Sequence, residues 1–356
     1  MLLAPALAAA AGLAVLVAHP PVGWWWTSFL APALFVAALA IDAAAAVRTG
    51  RRPQPFRLGL LTGLAGFAPM LSWLIMPAGY LGWALLATVQ AVFFGLLAVG
   101  VRPLLRSVWL PIVVAIGWTG ADAWRAIWPL KGFEWGAIAY AHADGSWLLP
   151  VARLVGGRGI TLLVVLIGAA AYVVVRDTVE GLRARESGPV EDAVAVARAP
   201  VFVLVGALLV SVIATIEPPP PTGTLDVLVV QGNDIRHWEE DVDDPSYRIT
   251  TQMRDQTLEA IGDGEPPDLT VWPEASVDTD PYSDRGARYL PLLNEAAAAS
   301  RHLLAGVNLD GPDPQTGFWR TQLLLDRDGR MLGRYDKRRV VPFGEYIPMR
   351  SYLDWF

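Results

Sequence analysis

Long apolar segments, separated by Arg, Pro and Gly, fill the first 216 residues of the chain. Most of them approach the roughly 20 residues with which an α-helix crosses about 30 Å of hydrocarbon. Backbone groups in lipid must bond within the segment, so each segment predicts a helix. We therefore predict seven spans, at about residues 2–18, 25–46, 58–76, 80–101, 108–128, 159–175 and 200–216.

A cleaved signal peptide is the alternative for the first segment. That segment has no basic n-region and no clean cleavage site before His19-Pro20, which favours a retained helix. The loops after the second, fourth and sixth spans hold ten arginines, against three basic residues in the alternate loops. The positive-inside rule then places the N-terminus in the cytoplasm. Seven crossings put everything after Ile216 outside, and one span fewer would reverse this orientation.

The pattern changes after a proline-rich stretch at residues 217–224, which predicts a stiff, extended linker. Short apolar runs then alternate with amphipathic stretches, as in an α/β layered domain. The run at 225–230 has the pattern of a buried strand, and apolar strands of this kind require helical cover on both faces. The other predicted strands are 268–272, 302–307, 319–325 and 331–335, and the predicted helices are 245–261 and 286–300.

Composition agrees with a membrane half followed by a water-soluble half. Apolar residues make up 54% of the chain and charged residues only 17%. Residues 1–216 carry 14 Lys/Arg against 9 Asp/Glu, whereas residues 217–356 carry 14 against 25. The acidic second half would repel phosphates, which argues against nucleic acid as a partner. The chain has no cysteine, which excludes disulfides and cysteine-ligated zinc.

One candidate for chemistry is Glu274, which directly follows the predicted strand at 268–272. Pro273 fixes the exit from that strand, and a carboxylate at this edge of an α/β sheet lies where such folds bind ligands. Apolar neighbours such as Trp272 would desolvate the carboxylate and suit it to general-base work. The alternative is a loop carboxylate that caps the next turn, and position alone does not decide between the two.

Two further candidates follow the predicted hairpin, whose turn contains Asp328-Gly329. Lys337 lies next to Arg338 and Arg339, so the three residues can also be a solvated basic surface. The functional interpretation is a cation that stabilises an oxyanion and lowers the pKa of a neighbouring thiol. Glu345 lies in a segment whose prolines and glycine predict a rigid loop, which would aim the carboxylate.

Several short motifs occur together in this chain. They are Gln231-Gly232-Asn233, Trp272-Pro273-Glu274, Tyr335-Asp336-Lys337 and Pro342-Phe343-Gly344-Glu345, with the segment from Gly63 to Trp73 and the loop Ala141-His142-Ala143-Asp144-Gly145 in the membrane half. Together they resemble the apolipoprotein N-acyltransferase family. The resemblance implies a multi-pass helical bundle at 1–216, the linker at 217–224, and the N-terminal part of a nitrilase-type (carbon–nitrogen hydrolase) α-β-β-α sandwich domain at 225–356.

The resemblance also implies roles for four residues. Glu274 matches the family's general base, Lys337 its catalytic lysine, Glu345 a second required glutamate, and Trp238 an aromatic residue near the substrate entrance. The family works in the bacterial inner membrane, with the nitrilase-like domain outside the cytoplasm. A cysteine takes an acyl chain from a phospholipid as a thioester and passes it to the α-amine of a lipoprotein's diacylglyceryl-cysteine. No cofactor or metal is implied.

The chain departs from the family in several features. It lacks the nucleophilic cysteine, which the family places some tens of residues after the lysine, together with the remaining sandwich strands and helices and a final membrane helix. Residues 133–135 are Phe-Glu-Trp, where many relatives have Phe-Pro-Trp. We therefore expect a truncated, inactive piece of a larger protein.

Three other functions stay open at this stage. The first is a non-catalytic membrane scaffold, related to the family, that holds a partner such as a polyprenol-phosphate mannose synthase. The second is a membrane-tethered amidase, because a Glu–Lys pair serves hydrolysis as well as transfer to an amine. The third is a transporter, which the few paired charges in the spans disfavour.

Overall fold

The computed structural model describes residues 2–185, 206, 208, 212, 215, 220–232, 244–312, 317–341, 345 and 346. The chain divides into two compact units, Met1–Pro218 and Pro219–Phe356. In its described part the first unit is helical and the second contains a sheet, as the sequence predicts.

The described part of the first unit contains six α-helices. They are α1 (Leu3–Ala18), α2 (Leu30–Thr49), α3 (Pro55–Met70), α4 (Ile75–Val101), α5 (Leu110–Arg125) and α6 (Ala152–Arg185). Each of them overlaps its counterpart among the first six predicted spans, although α6 extends well beyond the predicted 159–175. The seventh predicted span, 200–216, lies almost entirely outside the described residues.

Among the described residues, three helical segments are long and apolar enough to cross a membrane: Trp25–Thr49, Ser72–Leu104 and Leu149–Arg183. Helices α1, α3 and α5 have 16 residues each, somewhat fewer than a perpendicular crossing needs. The predicted fold class of the first unit, a helical membrane bundle, is thus confirmed. The count of seven crossings, and the orientation that depends on it, stay predictions.

Small residues let the first helices pack with their backbones in contact. A Cβ at Gly12 of α1 would lie 2.1 Å from the carbonyl oxygen of Thr62 in α3. A Cβ at Gly59 of α3 would lie 2.1 Å from the carbonyl oxygen of Phe94 in α4. The Thr62 hydroxyl also donates to the carbonyl of Ala8, at 2.9 Å. Close approach at small residues and hydroxyl bonds between helices are the usual means of helix association in lipid.

A buried ion pair fixes the loop that follows α5. The fully buried Arg125 donates from Nε to Oδ1 of Asp122 at 2.8 Å and from Nη1 to the carbonyl of Trp135 at 2.7 Å. Its guanidinium also lies 5.1 Å from the ring centre of Phe67. A buried charge needs such partners to offset its lost hydration, so Arg125 holds the loop against the bundle.

The described part of the second unit contains a mixed five-stranded sheet in the order β1-β2-β3-β4-β5. Strands β1, β2 and β3 are parallel, and β3, β4 and β5 are antiparallel neighbours. The strands are β1 (Val227–Val229), β2 (Leu269–Val271), β3 (His302–Asp310), β4 (Phe318–Asp326) and β5 (Met331–Asp336). The predicted α/β domain, including the hairpin of its last two strands, is confirmed.

Helices α7 (Pro245–Ile261) and α8 (Leu290–Ala299) pack against each other and share one core with the sheet. The largest side chain of this core is Trp272, which is fully buried and donates from Nε1 to the Thr257 hydroxyl at 3.0 Å. That bond ties α7 to the end of β2, where the first candidate residue follows.

The strand predicted at 225–230 forms as β1, but the prediction that it is buried is wrong. Strand β1 has a neighbour on one side only in the described part of the chain, and the Val229 side chain is 71% exposed. The two described helices also share a single core, whereas the sequence predicts helical cover on both faces. An apolar run shows that a strand prefers burial but not which neighbours bury it.

Candidate active site

Glu274 is the third residue after β2, where the chain turns tightly over the middle of β3. A Cβ at Gly306 of β3 would lie 2.2 Å from the carbonyl oxygen of Pro273 and 2.8 Å from Cα of Glu274. Ala275 has a positive φ of 57°, a conformation uncommon for residues other than glycine. Val277 then donates to the Gly306 carbonyl at 3.1 Å. Only a residue without a side chain at 306 permits this close approach.

Lys337 directly follows β5, and its position is set by the neighbouring strand. Its backbone N–H donates to the carbonyl of Arg320 in β4 at 2.8 Å. Its Nζ donates to Oε1 of Glu274 and to Oε1 of Glu345, each at 2.8 Å. The structure thus brings together the three charged residues that the sequence analysis singles out.

Glu345 closes a short turn of its own. Its backbone N–H donates to the Val341 carbonyl at 2.8 Å, and its Oε2 accepts from the Val341 N–H at 2.6 Å. The side chain is only 9% exposed. Because its second oxygen is held in this way, the first one is directed at Lys337.

Arg320 is a fourth charged residue at the site, which the sequence analysis missed. Its Nε lies 2.8 Å from Oε1 of Glu345 and 4.0 Å from Oε1 of Glu274. The contact with Glu345 is an ion pair without hydrogen-bond alignment. The hairpin register, which pairs Thr321 with Asp336, places Arg320 beside the lysine. We call Glu274, Arg320, Lys337 and Glu345 the charge cluster.

The charge cluster borders an open cavity of about 490 Å³. Its wall combines the ends of β4 and β5 with the turn after β2. Its lining residues are Glu274, Ala275, Val307, Arg320, Thr321, Gln322, Tyr335, Lys337, Arg338 and Arg339. The cavity thus offers ionised side chains beside apolar ones, as a site for an amphipathic substrate requires.

Two members of the charge cluster, Lys337 and Glu345, have shifted pKa values. Burial alone would lower the pKa of Lys337, but hydrogen bonds from its ammonium group to Glu274 and Glu345 outweigh burial and raise it above 10.5. Burial would raise the pKa of Glu345, but the bonds from Lys337 and the Val341 N–H, with the charge of Arg320, lower it below 4.5. Both groups are therefore charged at neutral pH.

The surroundings of Glu274 differ from the sequence expectation. Its side chain is 56% exposed, and Trp272 points into the core toward α7 rather than over the carboxylate. Trp272 is fully buried, whereas Glu274 lies in the turn that follows it, so the two side chains do not share one environment. The expected desolvation of Glu274 by Trp272 is therefore wrong, and its nearest partner is the ammonium of Lys337.

Trp238, the candidate for the substrate entrance, lies outside the described residues. Among the residues that are described, no group of three or more His, Asp or Glu side chains could hold a metal ion. The chain contains no cysteine, so a thiol nucleophile is not among its residues.

Comparison with known proteins identifies relatives over both units. The family model of the apolipoprotein N-acyltransferase N-terminal domain matches residues 11–170. The apolipoprotein N-acyltransferase of Mycolicibacterium smegmatis is 29% identical over 96% of this chain and 58% of its own length. Those of Geobacter metallireducens and Caulobacter vibrioides are each 28% identical, over 84% and 98% of this chain and 58% and 65% of their own lengths. The chain therefore spans about three-fifths of the length of these relatives.

Proposed function

Because the chain belongs to the apolipoprotein N-acyltransferase family, we propose that its charge cluster forms the acid–base part of an acyl-transfer site. The acyl donor is a membrane phospholipid, and the acceptor is the α-amine of a lipoprotein's diacylglyceryl-cysteine. The observation that carries the proposal is the position of Lys337 Nζ, 2.8 Å from both Glu274 and Glu345. The thiol that holds the acyl chain comes from outside these 356 residues.

In the first half-reaction Glu274 takes the proton of the thiol. The thiolate sulfur attacks the carbonyl carbon of the phospholipid ester, the S–C bond forms, and the ester C–O bond breaks. Glu274 returns the proton to the departing lysophospholipid oxygen. The exposed carboxylate of Glu274 at the cavity wall is accessible for this transfer. General-base catalysis of this kind contributes roughly 10²–10⁴-fold.

In the second half-reaction the α-amine attacks the thioester carbonyl. The new N–C bond forms, the S–C bond breaks, and Glu274 carries the amine proton to the departing sulfur. Both half-reactions place a negative charge on the carbonyl oxygen in the transition state. Lys337 supplies a fixed positive charge for that oxygen, and Glu345 holds the ammonium in position.

We propose that the first unit anchors the protein in the bilayer that holds both substrates. Both substrates are anchored in a bilayer, and the described part of the chain contains three helical segments long enough to span one. We propose a cytoplasmic N-terminus and a catalytic unit outside the inner membrane, based on the arginine-rich alternate loops. Trp238 serves as an aromatic contact at the substrate entrance.

One observation favours a second candidate, a non-catalytic scaffold: the chain has no cysteine. A scaffold would keep the fold and the charge cluster without turnover. The two functions differ in what happens when a thiol is supplied next to the cluster.

The test is a chimera that joins this chain to the part of the Mycolicibacterium smegmatis relative that follows the matched region. Cells depleted of their own N-acyltransferase would produce the chimera, and mass spectrometry would measure the N-terminal peptide of a lipoprotein. We expect three acyl chains with the chimera and two with the 356-residue chain alone. Glu274→Gln and Lys337→Met should each restore the two-chain product.

The matched control is Glu265→Gln, because the Glu265 side chain is 94% exposed and its one ion pair is loose, at 3.9 Å. This variant should acylate normally. A chimera that leaves the lipoprotein diacylated would favour the scaffold, and one that releases free fatty acid instead would favour hydrolysis, the reaction type of an amidase, over transfer. Acylation by the 356-residue chain alone would contradict the thioester route.

A further inference from the structure

We propose that Arg320 is a positioning residue of this site: its guanidinium neutralises Glu345, so that the Lys337 ammonium is shared between two carboxylates rather than bound to one. The proposal assigns a role to a residue that no motif identifies. It rests on the proposed function only in naming the reaction that the shared ammonium serves.

The geometry of the cluster is the first argument. Oε1 of Glu345 lies 2.8 Å from both Lys337 Nζ and Arg320 Nε, so one oxygen contacts two cations. Arg320 also approaches Glu274, at 4.0 Å. Charges of opposite sign thus alternate around the cluster, and the four groups together are neutral.

The backbone supplies the second argument. The carbonyl of Arg320 accepts the N–H of Lys337 at 2.8 Å, so the two cations are fixed beside each other on adjacent strands. The Arg320 guanidinium also lies 5.3 Å from the ring centre of Phe318, which restricts its movement. Arginine suits this place because it stays charged at every relevant pH and presents a rigid, planar group.

Removing Arg320 would change the balance of charges around the Lys337 ammonium. Without Arg320, the Lys337 ammonium would face two carboxylates alone, and Glu345, the more buried of them, would compete for it. Other charged side chains lie around the cluster: Asp336 accepts bonds from Thr321 and Arg334, while Arg338 and Arg339 line the cavity. A lysine held by one carboxylate is less available to an oxyanion, because preorganised charge must point at the reacting atom.

The chain offers a direct measurement of this effect. It contains only two lysines, Lys337 at the site and Lys131 in the membrane unit. Trace acetylation of the 356-residue chain in detergent, followed by mass spectrometry, reports how much of each lysine is the free amine. Arg320→Gln removes the charge and keeps hydrogen-bond donors, whereas Arg320→Lys keeps the charge.

We expect acetylation of Lys337 relative to Lys131 to slow at least about threefold in Arg320→Gln, the change that half a pKa unit produces. Arg320→Lys should stay within about twofold of the unchanged chain. The matched control is Arg334→Gln, which removes an arginine from the same hairpin that pairs with Asp336 at 2.8 Å and should leave Lys337 unaffected. Thermal unfolding of all three variants establishes that they are folded.

The results separate this proposal from the acyl-transfer function. Equal Lys337 acetylation in Arg320→Gln and Arg320→Lys, whether changed or unchanged, would overturn the positioning role, even if the chimera acylates lipoproteins. A charge-dependent change in acetylation would support the role, even if the chimera is inactive. In an active chimera, Arg320→Gln should lower kcat more than it raises KM and shift the pH profile, and Arg320→Lys should restore both.

Discussion

Replacing Glu345 by glutamine should make Lys337 a markedly more reactive amine. The substitution preserves the shape of the side chain, and the amide oxygen can still accept the Val341 N–H that holds Oε2 at 2.6 Å. What it removes is one of the two negative charges that lie 2.8 Å from the Lys337 ammonium. The pKa of Lys337, which the two carboxylates raise, should therefore fall.

The size of the effect follows from the geometry. Two unit charges 2.8 Å apart interact by about 1.5 kcal/mol in water and by about 6 kcal/mol at an effective dielectric constant of 20. Net values for hydrogen bonds to charged groups are about 1.5–3 kcal/mol. The lower end applies here, since the Lys337 side chain is 30% exposed and solvent screens the pair. About 1.4 kcal/mol is one pKa unit, which is a tenfold change in the free amine.

Trace acetylation at a pH between 8 and 9 measures this directly, with Lys131 as the internal reference. Lys337 of the Glu345→Gln variant should react about tenfold faster than in the unchanged chain, and Glu265→Gln should leave the ratio as it is. A rise of less than twofold, or an equal rise at Lys131, would refute the assignment of Glu345 as a direct partner of the ammonium.

Three further predictions follow from the packing and the charges. Gly306→Ala forces a side chain against the turn that carries Glu274, so it should cost about 1–3 kcal/mol of stability. It should also abolish most acyl transfer by the chimera. An unchanged unfolding temperature would contradict the close approach of the turn to β3. Arg125→Met leaves buried Asp122 unpaired and should cost about 3–5 kcal/mol of stability, measured by unfolding in detergent. Adding Asp122→Leu should restore most of this loss. An equal or larger loss in the double variant would show that Arg125 does not stabilise the bundle by pairing with Asp122. The pKa of Glu345 is lowered in the folded chain, so its charge contributes stability above the ordinary value of 4.5, and this stability is lost as the pH falls through the folded pKa. Between pH 6 and pH 3 the unchanged chain should therefore lose more stability than Glu345→Gln. Parallel curves of stability against pH for the two proteins would contradict this.

The sequence predicts the elements of the second unit well where local signals are strong. The predicted helix at 245–261 has the observed bounds, and the hairpin around the turn at 326–329 forms because its turn chemistry is local. The error at β1 has a different origin: the apolar run at 225–230 is real, but its neighbours in the sheet are set by distant parts of the chain. The strand propensity of a segment can be read from its own residues, whereas its burial depends on the neighbours it has in the assembled sheet.

The residues of the candidate site also differ in how well the sequence predicts them. Glu274, Lys337 and Glu345 lie in short motifs that a family resemblance makes visible. Arg320 lies near the start of β4 and in no motif, and only the register between β4 and β5 brings it to the lysine. The predicted hairpin could have identified Arg320, since pairing the two strands across the turn places residue 320 opposite the end of β5. The role of Gly306 was equally hidden, because a glycine in a strand does not show which backbone crosses it.

The central claim is that Glu274 and Lys337 activate a thiol toward a phospholipid ester. The most direct test incubates the purified chimera with a single phospholipid and measures the hydroxylamine-sensitive acyl adduct on its cysteine. Our account predicts that the adduct forms in the chimera and in Glu265→Gln, and that it forms at least about 100-fold more slowly in Glu274→Gln and Lys337→Met. Adduct formation at the unchanged rate in either of those two variants would contradict it.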